Sequence, residues 1–353
     1  MSGQTIRLAD VSKSWGDTTA VDGISVEVPA GTFTVLLGPS GCGKSTTLRI
    51  IAGLESVDAG RVEIGGRDVS DLPAAKRDLS MVFQSYALFP HLSVADNIAF
   101  GLQVRRVGRA EQEERLREVA DLLELTDKLN RKPAELSGGQ QQRVALGRAI
   151  ISRRPVCLMD EPLSNLDARL RHDMRTEIRA LQRQLGFTMV YVTHDQVEAI
   201  TMADQVVLMN RGRIEQAADP RTIYAEPAST FAARFIGTPP MNILAAGAFG
   251  DRLKSPDALA SLIGVRPEAL TLRPDGPLAA EVTGVEFLGA DMLLDCVAGG
   301  ENFIVRTSGS SALSVGTAVT LGFDPADLHV FDLATGLRRD DRQAAVAAEL
   351  GSP

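Results

Sequence analysis

Phe33-Thr34-Val35-Leu36-Leu37-Gly38-Pro39-Ser40-Gly41-Cys42-Gly43-Lys44-Ser45-Thr46 decides the fold of this chain. Residues 33–37 are an almost wholly apolar run, which reads as a buried strand. Residues 47–54 follow with helical character. Between them lies Gly, four residues, then Gly-Lys-Ser, the phosphate-loop pattern, in the strand–loop–helix setting that the pattern needs. Gly38, Gly41 and Gly43 let the backbone curl so that its N–H groups face one anion. The helix that starts here adds its positive end. Lys44 supplies a point charge for outer phosphates, and the Ser45 hydroxyl suits Mg²⁺. The whole run, including Pro39, Ser40, Cys42 and Thr46, is the candidate nucleotide cradle.

Working outward, the 353 residues suggest two or three domains with ample core. A net charge of −8 argues against a nucleic-acid partner and against direct docking on anionic lipid. Cys42, Cys157 and Cys296 are widely spaced, so no disulfide framework or zinc site is expected, which fits a reducing compartment. The N-terminus has no signal-peptide pattern, and no apolar run reaches the ~18 residues of a membrane span. If the protein works at a membrane, other subunits must take it there.

Before the loop, residues 6–11 and 24–28 alternate as strands. Trp15 between them is either a packing or surface aromatic or a platform for a stacked base. After the loop, residues 61–69 form a hairpin turning at Gly65-Gly66, and residues 79–83 form a strand that ends at Gln84. Gln84 is a solvated strand end or a sensor beside the phosphates. Residues 92–132 read as helical, with Ser93 as N-cap and an amphipathic stretch over 115–125. Leu136-Ser137-Gly138-Gly139-Gln140 precedes a helix over 144–152. Ser137 can cap it, and its uncovered N–H groups make either an ordinary cap or a second anion-binding terminus.

Residues 156–159 form a strand delivering Asp160 and Glu161. Successive strand residues point oppositely, so the two carboxylates cannot share a role. Asp160 suits the Mg²⁺ site, and Glu161 suits the water that attacks a terminal phosphate. Ser164-Asn165-Leu166-Asp167 follows as a loop. A helix over 169–185 buries Leu170, Met174, Ile178, Leu181 and Leu185. The strand 189–192 ends in His194, at the end where open parallel sheets bind ligands. A hairpin over Asn210-Arg211-Gly212 closes the unit.

In that order these motifs resemble the nucleotide-binding subunit of an ATP-binding-cassette (ABC) transporter, over residues 4–236. The resemblance implies an α/β RecA-like core, a small antiparallel sheet and a helical subdomain at about 86–152. It implies two copies sandwiching two ATP molecules head to tail. Each ATP would meet Lys44 and Ser45 of one copy and Ser137, Gly138, Gly139 and Gln140 of the other. Trp15 would stack on adenine, and Gln84 would sense Mg²⁺ and the water. Glu161 would be the catalytic carboxylate, His194 would hold the γ-phosphate, and Asp167 would communicate across the dimer.

The Pro/Gly segment 236–242 is the expected boundary. Beyond it, short β-like runs suggest a small barrel or sandwich over 237–338. Residues 264–270 echo residues 322–328, a repeated turn. Residues 339–353 are expected to be a flexible tail, either a frayed helix or disordered. This last third is similar to the OB-like regulatory domain of maltose-type and glycerol-3-phosphate-type importer ATPases. The resemblance implies a homodimer on the cytoplasmic face of the inner membrane. Two transmembrane permease subunits would dock near residues 84–100, a solute-binding protein would act through them, and a regulator would have a place on the C-terminal domain. The expected cargo is a carbohydrate, polyol or sugar/glycerol phosphate. An importer for polyamine, metal or sulfate, a soluble ABC ATPase and a signalling platform are the competing readings.

Overall fold

A computed structural model describes residues 2–351 and divides them into two compact units, with the division after residue 220.

The first unit holds two sheets. One is antiparallel, in the order Thr18–Val28, Ile6–Trp15, Ala59–Ile64, Arg67–Asp68. The other runs Arg213–Ala218, Gln205–Asn210, Phe33–Leu37, Thr188–Thr193, Val156–Asp160, Leu79–Val82. Its strands are parallel except for the antiparallel edge at Arg213–Ala218. Phe33–Leu37, Val156–Asp160 and Thr188–Thr193 are buried along their whole length, as their continuous apolar runs require.

Register does the rest. Leu37 lies opposite Thr193, Asp160 opposite Val192, and Val82 opposite Met159. Four strands therefore end side by side at one edge, directly before the phosphate loop, Glu161, His194 and Gln84. This is where a parallel sheet presents its loops to a ligand.

Helices Val94–Val104, Arg109–Leu122 and Gly138–Ile150 pack on one another. Ser93 caps the first through Asp96 N–H, as its position suggests. The continuous helix expected over 92–132 is interrupted. Arg106 turns left-handed, and Val107 N–H reaches back to Leu102 O, which ends the first helix before Gly108 opens the next.

The second unit begins earlier than the Pro/Gly segment suggests. Helices Pro220–Ala225 and Thr230–Phe235 are tied into it. The Arg266 guanidinium donates to the carbonyls of Tyr224, Ala233 and Ile236 and lies 4.0 Å from the Tyr224 ring centroid. Thr230 N–H donates to Gly336 O.

Two small sheets follow. In one, Ser261–Val265 lies between Asn242–Ala245 and His329–Asp332. The other runs Thr271–Leu272, Ala318–Gly322, Leu278–Phe287, Asp291–Ala298, Glu301–Ser308. The first strand, four residues without alternation, is hidden from sequence. Asn242 gives it a side-chain amide that pairs with both backbone groups of Ile304, at 2.8 and 2.9 Å.

The two echoing stretches share one turn-closing hydrogen bond. Ala269 N–H closes on Arg266 O at 3.0 Å, and Asp327 N–H closes on Asp324 O at 2.9 Å. Each turn joins strands that pair crosswise with those of the other: Gly264 faces His329, and Thr271 faces Gly322.

The tail expected to be a frayed helix or disordered is a helix over Asp340–Leu350, docked rather than flexible. Val346 and Leu350 enter the apolar core of this unit beside Leu278, Leu294 and Val330. Two apolar anchors four residues apart suffice for burial in an Ala-rich helix, a signal that charge density obscures.

Candidate active site

The phosphate loop owes its shape to glycines that nothing else could replace. Gly38 (φ 152°) and Gly43 (φ 104°) leave room for the carbonyls of Met209 and Ala20, each of which would stand 2.3 Å from an added Cβ. The helix Lys44–Ala52 has no side-chain cap and no acid in its first turn, so its leading N–H groups and positive end are left for an anion. Lys44 is buried, and its Nζ donates to Gly38 O (2.8 Å) and Pro39 O (2.9 Å), which holds the cation inside the loop. Cys42 lies buried beneath, its thiol pKa pushed up by burial against the lowering effect of Lys44.

Ser45 Oγ donates to Asp160 Oδ1 at 2.8 Å. Hydroxyl and carboxylate form a hard oxygen pair of the kind Mg²⁺ accepts, with phosphate and water oxygens completing the shell. Consistently, no cluster of three or more His, Cys, Asp or Glu able to hold a metal occurs among the described residues, so the protein alone offers no closed cage.

Glu161 follows Asp160 off the strand with φ 44°, its N–H bonded to Val192 O at 3.1 Å. That left-handed step separates the two neighbouring carboxylates. Asp160 goes to Ser45, while Glu161 Oε2 meets His194 Nδ1 at 3.3 Å and Gln84 Nε2 at 3.5 Å. The three residues named from sequence as catalytic thus converge on one carboxylate. Ser164 and Asn165 join them, although their side chains drew no role from sequence. Ser164 Oγ lies 3.4 Å from Gln84 Nε2, and Asn165 Nδ2 donates to Gln84 O at 3.2 Å. Their place in the polar loop after Glu161 was the available signal.

Beneath His194 is a second group that sequence did not single out. Glu198 is buried and accepts from Tyr191 Oη (2.8 Å) and Thr193 Oγ1 (2.7 Å). Burial raises its pKa, against hydrogen bonds from Thr193 and Tyr191 that lower it. Thr193 Oγ1 in turn receives Asp195 N–H at 3.0 Å, so the backbone on both sides of His194 is pinned.

Trp15 ends its strand 48% exposed, with Lys13 Nζ 5.8 Å from the ring centroid. Lys13 is anchored by Asp58 (3.0 Å) and Glu55 (3.3 Å). Asp167 caps the helix Ala168–Leu185 by accepting Leu170 N–H at 2.9 Å. Ser137 and Gln140 form a reciprocal capping box at the start of Gly138–Ile150. Among the described residues no hydrogen bond joins Ser137, Gly138, Gly139 or Gln140 to the phosphate loop. Within one chain they form a separate terminus.

No helix among the described residues is long and apolar enough to cross a membrane. The sequence profile of the ABC transporter family matches residues 21–164, and that of the TOBE domain matches residues 263–331. The trehalose/maltose import ATP-binding protein of Thermococcus litoralis is 50% identical, covering 94% of this chain and 98% of its own length. The sn-glycerol-3-phosphate import ATP-binding proteins of Cereibacter sphaeroides and Rhodopseudomonas palustris are 47% and 48% identical, each over 94% of this chain and 99% and 98% of their own. A dimeric post-hydrolysis structure of the cassette MJ0796 bound to ADP and Pi superposes with a TM-score of 0.55 at 31% identity. It covers 61% of this chain and 99% of that one.

Proposed function

The chain belongs to the ATP-binding-cassette family of import ATPase subunits, and from that membership we propose that it powers uptake of a sugar, polyol or glycerol-phosphate-type solute. It is an ATPase with a RecA-like core and a C-terminal OB-like β unit. The observation that carries the mechanism is the meeting of Gln84, Glu161 and His194 beside the phosphate loop.

ATP would lie along residues 38–46, its phosphates on the helix terminus and Lys44, its adenine against Trp15. Mg²⁺ bound at Ser45 and Asp160 would neutralise phosphate charge. Glu161 would draw the proton from the attacking water, which Gln84 orients. His194 would hold the γ-phosphate by donating a ring N–H to its developing negative oxygens. Two copies would close head to tail. The Ser137–Gln140 terminus of one would then supply the other's γ-phosphate with a second positive end, and Asp167 would lie at the seam. Loss of that phosphate removes the shared anion, so hydrolysis releases the dimer.

Membrane permease subunits would dock around residues 84–100. There Leu88, Phe89 and Phe100 are half-buried, and Phe83 just before them is exposed. The chain would sit on the cytoplasmic face of the membrane through them, with a solute-binding protein acting on the far side. The β-rich unit that begins at residue 221 would offer a regulator its surface.

The test is ATP hydrolysis by the complex isolated with its own membrane subunits and binding protein. The ligand panel spans sugars, polyols, sn-glycerol 3-phosphate, polyamines, sulfate and metals. Stimulation by one carbohydrate or glycerol phosphate is expected. Stimulation by a polyamine, metal or sulfate replaces the cargo class, and hydrolysis indifferent to all of them removes the importer reading.

A further inference from the structure

The segment that leaves Gln84 runs through a turn its residues do not favour. Tyr86 (φ 61°) and Ala87 (φ 46°) are consecutive non-glycine residues in the left-handed region, where Cβ crowds the following carbonyl. Such a pair persists only where its surroundings enforce it.

Arg148, on the helix Gly138–Ile150, does so. Its two terminal nitrogens donate to Tyr86 O and Ala87 O, both at 2.6 Å, and its guanidinium lies 5.9 Å from the Phe89 ring centroid. No carboxylate pairs with it among the described residues, so carbonyl dipoles answer its charge. Burial accordingly pulls its pKa down. The carbonyl of Gln84 is held as well, by Asn165 Nδ2 at 3.2 Å. Three carbonyls within four residues are thus gripped by side chains from two other elements.

We propose that Arg148 is a positioning residue for hydrolysis: it locks the 84–87 turn to the helix that begins at Ser137 and so keeps Gln84 within reach of Glu161. The inference rests on the placing of Gln84 at the ATP site under Proposed function. Its consequence is directional. A shift of the helix on ATP closure, or of the 88–100 stretch on partner docking, is delivered to Gln84 as a pull on two carbonyls. No long-range pathway is needed, because the clamp and the turn are in direct contact.

The experiment uses the purified full chain with Mg-ATP and needs no cargo. Arg148→Met keeps the stem against Phe89 and removes every donor. Its kcat should fall at least tenfold with KM within threefold, and amide exchange over residues 85–89 should rise selectively. Arg148→Lys, with a single ammonium, should fall between. Ala87→Gly added to Arg148→Met should recover a third or more of the lost kcat, since glycine holds the left-handed turn unaided.

A kcat within twofold of wild type in Arg148→Met, or a loss that Ala87→Gly leaves untouched, overturns the inference. If Arg148→Met does not fold, Arg148→Lys alone and with Ala87→Gly is judged by the same kcat recovery. Gln84→Ala is measured alongside. Wild-type kcat in that variant removes both the placing of Gln84 and the clamp, whereas a loss in Gln84→Ala with none in Arg148→Met removes the clamp alone.

Discussion

The two units differ in which residues they place in left-handed backbone. Glycines take such positions in both, but among the described residues all nine non-glycine residues with positive φ lie in the first unit: Asp10, Asp78, Tyr86, Ala87, Arg106, Glu124, Arg153, Glu161 and Arg211. In the second unit the left-handed positions, from Gly237 to Gly336, are glycines. Local sequence and local structure agree throughout the β-rich unit, as expected where only a stable scaffold is needed. In the first unit they conflict at these nine positions, and three of them (Tyr86, Ala87, Glu161) sit in or beside the candidate ATP site. Strain held at a site by its surroundings fixes the geometry that chemistry needs.

If that contrast is functional, Glu161 carries the largest effect. Glu161→Gln keeps the shape and loses the base, so kcat should fall by about 10²–10⁴-fold. Binding of a fluorescent ATP analogue should stay within threefold of wild type. Turnover within tenfold of normal would place the base elsewhere.

Next come glycines in the two units. Gly43→Ala must accept both φ 104° and a carbonyl 2.3 Å from its Cβ, whereas Gly300→Ala meets only φ 81° with nothing within 4 Å. The first should destabilise by about 3 kcal/mol through overpacking and strain together, the second by about 1 kcal/mol through strain alone. Urea unfolding of both variants measures the gap, and equal losses would mean that crowding in the loop is absorbed.

The second unit has a pH sensitivity of its own. His329 is buried, with Arg338 donating to Nδ1 at 3.0 Å. Burial, and then the charges of Arg338 and Arg266, lower its pKa to about 4. The unfolded chain binds this proton first, so stability should be intact above the ordinary histidine value near 6.5 and decline as pH falls toward 4. The loss is about 2 kcal/mol by pH 5. His329→Gln should flatten that part of a thermal-melting series between pH 7 and 5, and an unchanged slope would assign the dependence to other groups.

Smallest is Arg106→Gly. It relieves a left-handed residue far from Glu161 in sequence, at the end of Val94–Val104, and should stabilise by about 0.5–1 kcal/mol without changing kcat. A drop in kcat would extend the functional strain to this helix end.

What sequence made legible follows the same division. The phosphate loop, the acidic strand end and His194 could be read because the chemistry needs those residue types in that order. Their convergence could not, since it depends on register: Leu37 opposite Thr193, Asp160 opposite Val192. Ser164 and Asn165 were visible as a loop, but a hydrogen bond to Gln84, some 80 positions away, leaves no local trace. Arg148 drew no role from sequence, because nothing in residues 84–90 announces two left-handed residues without glycine. In the β-rich unit the strands after Asn242–Ala245 and the repeated turn were readable from short apolar runs and turn chemistry. The docking of the terminal helix left little trace, because its buried core contacts are Val346 and Leu350, with Ala347 partly buried beside them.

The crosswise pairing of the two turns also sets the order in which the chain can fold as it is made. Ser261–Val265 needs Asn242–Ala245 on one side and His329–Asp332 on the other. The second neighbour is translated some 65 residues after the strand it completes. The six-stranded sheet, by contrast, has its last strand once Ala218 has emerged. A nascent chain therefore carries a finished nucleotide-binding unit while the β unit still has an open strand edge. Chains cut short before residue 329 should accumulate as ATP-binding but aggregation-prone fragments, and quality control would act on that edge.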